Sequence, residues 1–354
     1  LANENAGLSN TLTAVAPTAI PPTSTSIPPT PTIPEPTRVA LPNFRYIFRA
    51  DSGVNNVIFL DDLGNPDATE LASLAGNLSG LSWSPDGNRI AFLSNDTGAY
   101  DIYVMNADGS NLQNITQSSN VDGDPFWSPD SSKLLFSGLP GSTYEIYTIP
   151  AEGGELTNLT QNAYNDYEPA WSPDGQWVVY CSDHNLDELF NLYIVDAKGN
   201  NRRTLTTEGE TNDRNPVFSP DGNWVAYNSD DGDWDIVLVN VNDKTRINLT
   251  EDSAVDDWSP AWSPDGLQIA FVSMTDGSNA DIYVMNMDGS NRRRLTNNAV
   301  WNWRPEWSPD GQYIVFETDI DGNWELYLTD LYGGILVNLS QSPGTIDGEL
   351  SWMP

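Results

Sequence analysis

The feature that most restricts this chain is a phrase that keeps returning, first as Trp83-Ser84-Pro85-Asp86-Gly87. It recurs at residues 127–130, 171–175, 218–222, 262–266 and 307–311, and a truncated echo, Ser351-Trp352-Met353-Pro354, follows. Its aromatic positions are 83, 127, 171, 218, 262, 307 and 352, so the spacings are 44, 44, 47, 44, 45 and 45 residues. A steady period of that length marks a repeat array, and it outranks any local reading of helix or strand.

Every copy has the same grammar. In five copies Pro-x precedes the aromatic, as in Pro125-Phe126-Trp127 and Pro260-Ala261-Trp262, while Leu81-Ser82 stands before Trp83. Ser-Pro-Asp-Gly then forms a turn in which Pro presets φ, Asp tolerates the next position and Gly accepts the exit conformation. A short apolar run follows (Arg89 to Leu93), then a polar loop, then Asp101-Ile102-Tyr103-Val104-Met105-Asn106, the turn Asp108-Gly109-Ser110, and a run ending in Ile115-Thr116. The segment 281–286 nearly transcribes 101–106. Each unit therefore reads as four short strands rich in aromatic and β-branched residues. The middle two are apolar on both sides, as in a sheet covered on both faces. Four-stranded sheets at this period pack radially as an all-β propeller.

Six full units run from Trp83 onward. A seventh is composite: residues 44–75 supply three strands around Phe44–Phe48, Asn56–Leu60 and Glu70–Leu74, and residues 349–354 supply the missing one. The expectation is a seven-bladed β-propeller over 44–354, closed by its C-terminal strand so that no sheet edge is left free.

Residues 1–43 differ in kind. From Pro17 to Pro36 the chain is rich in Pro and Thr and carries a single charge, Glu35. Such a stretch cannot bury a core and favours extended polyproline II, with a reach of about 60 Å. Two readings stand beside each other: a stalk, and an assembly arm that docks on another subunit. The chain starts at Leu1 without a basic and apolar leader, so a signal or anchor is expected to have been removed or to lie outside it.

The repeats resemble those of TolB-type propellers, on the strength of the W-SPDG turn, the I-A-F run, the D-I-Y-V-M strand and the terminal L-T over residues 44–354. Two departures, Phe218 for Trp and Ser131 for Gly, leave the fold expectation intact. The resemblance implies a protein-interaction scaffold in the periplasm or outside the cell, without naming a partner.

Fifteen basic against fifty acidic residues give a net charge of −35, which argues against nucleic acid and favours cations or basic partner segments. No apolar run is long enough to span a bilayer. The one cysteine, Cys181, reads as a buried small hydrophobe.

Candidate sites collect on the face of the longer loops. Five residues before the aromatic, an acid repeats: Asp122, Asp166, Asp213, Asp257 and Asp347, with Asn302 in the sixth copy. The expectation is a carboxylate ring around one mouth of the central channel, able to draw in a metal ion, a lysine or an amino terminus. The plainer alternative is that each Asp caps its own loop. Tyr164, Tyr167, Trp258, Trp301 and Trp303 share that face and suit partner or sugar contact, or simply plug the mouth. Asp319, Asp321, Asp230 and Asp233 lie in loops superficially like calcium sites but without the EF-hand spacing, so no cofactor is assigned and calcium is the weaker reading. The arginines at 202–203 and 292–294 read as solvated edge charges. Six sequons begin at Asn77, Asn95, Asn114, Asn158, Asn248 and Asn338, most of them at the repeat's own terminal strand, with surface glycans as the alternative.

One histidine, His184, and no Gly-x-Ser-x-Gly elbow leave little for catalysis. The reading is a non-enzymatic, extracellular or cell-surface propeller that binds protein, in its sharper form a homopolymeric fibre subunit joined through residues 1–43. The alternatives are a carbohydrate-active or carbohydrate-binding propeller using acids such as Asp166 and Asp213, and a periplasmic TolB-like adaptor.

Overall fold

The computed structural model describes residues 44–63, 68–117, 122–139, 141–184, 189–207, 211–251, 255–274, 279–341 and 345–354. The expected arm at 1–43 lies outside the described residues. Among those described there are seven four-stranded antiparallel sheets and no helix, so the chain is a seven-bladed β-propeller. Among the described residues no helix is long and apolar enough to cross a membrane.

Blade 1 is the composite one, in the order Ile346–Trp352, Arg45–Asp51, Asn56–Asp62, Thr69–Leu74. Blades 2 to 7 follow in sequence, their innermost strands being Leu78–Trp83, Phe126–Trp127, Asp166–Trp171, Asn212–Phe218, Asp257–Trp262 and Asn302–Trp307. Closure is explicit: Tyr46 pairs with Trp352 and Ala50 with Asp347 across an antiparallel ladder. Trp352 also meets Phe44 and Tyr46 edge-on, with centroids 5.8 and 5.7 Å apart.

The core is not central. It is divided among seven joints, because each sheet has a neighbour on either face. Ala91, Leu93, Ile102 and Val104 of blade 2 pack against Trp127, Leu134 and Phe136 of blade 3. Tyr46, Phe48 and Trp352 of blade 1 close the ring against Val315, Leu326 and Leu328 of blade 7. The repeated aromatic staples neighbours: the indole N–H of Trp127 donates to the Ser82 carbonyl (3.3 Å), that of Trp262 to Val217 (3.3 Å) and that of Trp307 to Ala261 (3.0 Å). Phe218 lacks this donor and only packs, half-buried, in the joint of blades 4 and 5.

The turn chemistry is as its residues dictate. The Ser84 hydroxyl donates to Asp86 Oδ1 (2.6 Å) and accepts from the Arg89 amide (2.9 Å), while the Gly87 amide returns to the Ser84 carbonyl (2.8 Å). Gly87 sits at φ 69°. Ser131 holds the same left-handed conformation (φ 60°) without glycine's freedom, and its hydroxyl accepts the Asp86 amide of the neighbouring blade at 3.0 Å.

Candidate functional site

The repeated acids do not line an open mouth. Asp166, Asp213, Asp257 and Asp347 are at most 1 % exposed, Asp122 is 6 % exposed, and Asn302 is fully buried. The seventh equivalent position is occupied by Leu78, also buried. The acids expected around one mouth of the channel are thus buried side chains beside the joints between blades. Their backbone amides reach the preceding blade, Asp166 to the Tyr144 carbonyl (2.8 Å), Asp213 to Phe190 (2.7 Å) and Asp347 to Trp324 (2.8 Å). Local donors offset only part of the desolvation of these carboxylates, and one oxygen each of Asp122, Asp166 and Asp213 has no hydrogen-bond partner. Asp213 accepts from Thr211 (2.9 Å) and Ser229 (2.7 Å), Asp347 from Thr345 (2.7 Å), and Asp166 from Asn162 (2.7 Å).

The arginines are likewise not solvated edge charges. Arg292 crosses its own sheet over the rings of Phe271 and Tyr283 (5.1 and 5.2 Å) to donate to Asp257 at 3.1 Å. Arg294 donates to Asp281, while Arg203 and Arg293 each donate to a carbonyl of the next blade, Val241 and Leu331, at 2.8 Å. Arg202 lies over Tyr193 at 4.4 Å. Burial pushes the Asp166 carboxyl up to about 6, with the hydroxyls, Asn162 and Arg202 pulling back. Burial pushes Asp122 up to about 7, with Thr116 pulling back and Asp101 adding a smaller push.

The channel is lined by a different column of the repeat, three residues before the aromatic. Each of six innermost strands carries a β-bulge there: between Tyr167 and Ala170, for example, the strand advances three residues while its partner advances two, from Cys181 to Val179. The bulge swings Gly80, Glu168, Asn215, Ser259, Arg304 and Glu349 into positive φ, from 49° to 64°. Asp124 holds the same column in blade 3. Non-glycine residues rarely adopt such angles, and where they do so in series the backbone is aiming side chains. All seven line the central channel or a recess opening from it. The main void is 1280 Å³ and has a collar of prolines (Pro85, Pro129, Pro169, Pro216, Pro260) with Phe126 and Trp171 between them.

The ring is electrostatically uneven. On one side a recess of 270 Å³ gathers Asp124, Glu306, Glu317 and Glu349 around Arg304. Arg304 reaches Glu317 at 3.3 Å and Glu349 at 3.5 Å, and the Glu349 amide donates to Glu317 at 2.9 Å. Glu306 keeps some solvent contact yet is so crowded by protein that its carboxyl is pushed up to about 8, the Trp352 amide only partly offsetting this. Burial also raises Glu349, against the pull of Arg49 and Arg304. Opposite, Glu168 accepts from the Asn215 amide (2.7 Å) and the Cys181 thiol (3.3 Å), and lies 3.8 Å from Arg214. Cys181 is fully buried and its thiol is pushed well up by burial, as expected of an inert cysteine.

The aromatic candidates form two clusters. Tyr167 lies between Tyr144 (4.8 Å) and Phe190 (5.8 Å), with Tyr164 nearby on His184 (4.3 Å). Trp303 stacks on both Trp258 (5.6 Å) and Trp301 (5.7 Å). Of the five, Tyr167 lines the channel and Trp258 a side pocket.

The calcium-like loops hold themselves together. Asp230 accepts from the Gly232 amide (3.0 Å), Asp319 from the Trp301 amide (3.2 Å) and Asp321 from the Tyr327 hydroxyl. Asp233 falls in a triple with Asp231 and Asp235, but Asp235 is taken up by Asn248 (2.7 Å) and Thr250 (3.0 Å). Four sequon asparagines are committed in the same way: the amides of Asn114 and Asn248 donate to Asp101 and Asp235 at 2.7 Å, Asn338 to Glu325, and Asn158 to the Tyr147 hydroxyl at 3.2 Å.

The TolB beta propeller domain matches residues 48–154 and 188–354 of the chain. Among solved structures it is similar to TolB from Acinetobacter baumannii (19 % identity, 88 % of this chain and 67 % of that one, TM-score 0.58) and to a putative TolB from Agrobacterium tumefaciens (26 %, 77 % and 96 %, 0.55). The propeller of the Trilobed protease from Pyrococcus furiosus is also similar in fold (15 %, 85 % and 92 %, 0.64), and it has an open velcro topology where this ring is closed by strand pairing. With its family signature spanning most of the described blades and its ring closed, the chain belongs to the TolB-type β-propeller family.

Proposed function

We propose that this propeller is a non-catalytic protein-interaction module, working outside the cytoplasm, that holds an extended segment of a partner at its central channel. The observation that carries this is the bulged column: six strands hold the backbone in positive φ, so that Glu168, Asn215 and Ser259 line a void rich in proline and aromatic side chains, while Arg304 and Glu349 line the adjoining acidic recess. Apolar walls with a few fixed polar groups suit a peptide better than a large flat surface does. Asp166 and Asp213, the acids that an enzymatic reading would use, are buried in the joints, which favours binding over hydrolysis.

A photo-crosslinking residue at Phe126, inside the channel, tests this against one at Val54, which is 80 % exposed outside it. Protein adducts are expected from position 126; adducts from position 54 alone would overturn the reading. In its sharper form the partner is another copy, joined through the Pro/Thr-rich residues 1–43 to make a fibre. Removing those residues should abolish assemblies in electron micrographs, and assemblies that persist unchanged would reduce the arm to a tether. A periplasmic TolB-like adaptor is as consistent with the family match as a cell-surface module is.

A further inference from the structure

Beside the channel, between blades 5 and 6, lies a pocket of 350 Å³ bounded by Trp234 and Trp258. Small-molecule sites run from about 300 to 1000 Å³, so one or two sugar rings would fill it. Asn228 forms part of its wall and is fully buried. The side-chain N–H of Asn228 donates to the Asp257 carbonyl at 3.2 Å, which sets the orientation of the amide. Its Oδ1 is left without a partner. Flipping the amide would set oxygen against oxygen, so the free acceptor is a consequence of the fold. A buried carbonyl in this state wants an O–H or N–H donor from whatever occupies the pocket.

The other groups define the occupant. Asn212 accepts from the Phe190 amide at 3.2 Å and from Arg214 at 3.4 Å, while Asn215, on the bulge, is exposed at the rim. Glu168 is countered by Arg214 and by the Asn215 amide, so the pocket carries no net demand for a charged ligand. Trp258 is backed by Trp303 and so held in place, a rigid aromatic surface beside three side-chain amides. Hydroxyl-rich rings with apolar C–H faces answer both the aromatic walls and the unpaired acceptor. We infer that this pocket is a neutral saccharide-binding site that adjoins the channel and shares Glu168, Arg214 and Asn215 with its wall, with Asn228 Oδ1 accepting from a sugar hydroxyl and Trp258 providing the stacking wall.

The test is calorimetric titration of the whole chain with neutral tetrasaccharides of glucose, N-acetylglucosamine, mannose and galactose, followed in parallel by tryptophan fluorescence. At least one should bind saturably. Trp258→Ala should weaken it by about tenfold or more, the scale on which buried aromatic anchors act. Asn228→Leu, which keeps the volume but removes the acceptor, should weaken it similarly, while Phe126→Asp in the channel should leave it unchanged. If Asn228→Leu does not fold, Trp258→Ala decides. No binding by any of the four, binding indifferent to the Trp258 change, or binding at this pocket only by a synthetic peptide of residues 17–36 would each overturn the inference.

Discussion

Two columns of the same innermost strand, two residues apart, meet opposite fates. In blade 6, Asp257 is sealed in the joint beneath Arg292, while Ser259 turns to the channel at φ 54°. In a regular strand, residues two apart share a face. Here Asp257 is still in regular pairing with Ser273 whereas Ser259 falls in the bulge itself, so the first column becomes structure and the second becomes surface. Repetition of an acid signals a structural duty in this fold; variation, from Gly80 to Asp124 to Arg304, marks the surface free to be specific.

That contrast can be broken most forcibly at Asp257. Asp257→Ala strands the Arg292 guanidinium in a joint and should cost about 3–5 kcal/mol, read as a lowered urea midpoint. The next effect is smaller and depends on pH. Asp122 and Glu306 are raised to about 7 and 8, so between the ordinary carboxyl range and those values the folded chain holds more protons than the unfolded one. Stability should therefore rise as pH falls from about 8 to about 4. The trend should reverse in stronger acid, where the turn aspartates, Asp130 among them at about 2, lose the charge that their serines stabilise. Asp122→Asn should gain on the order of 2–4 kcal/mol above pH 7 and nothing near pH 4, measured by urea unfolding at both. The smallest effect belongs to the channel column: Ser259→Ala should shift stability by less than about 0.5 kcal/mol, and a larger loss would show that the two columns are not separate in role.

Much was legible because it repeats. The Ser-Pro-Asp-Gly turn forms the bonds its residues offer, from Ser84 to Ser308, and Trp352 pairs with Tyr46 as the missing strand required. The direction of Asp122 through Asp347 was not legible, since a single extra residue on one strand turns a side chain from solvent into a joint without altering the period. The arginines at 202–203 and 292–294 misled for a related reason: a long side chain can lie over the aromatic pair of its own blade and reach an acid three strands away. The channel column did leave a trace. It is the place three residues before each repeated aromatic where Gly, Asp, Asn and Ser alternate with Glu and Arg, residues that either tolerate left-handed backbone or face water.

The order of residues along this chain was enough to set the number of blades, the turn chemistry and the closing strand, because those depend on local conformational preference and on a period that any neighbour must respect. Which polar groups are buried, which face the void and which remain unpaired, Asn228 above all, arose only when seven sheets met. Burial and bulge geometry belong to pairs of strands and pairs of blades, and no single stretch of sequence carries them.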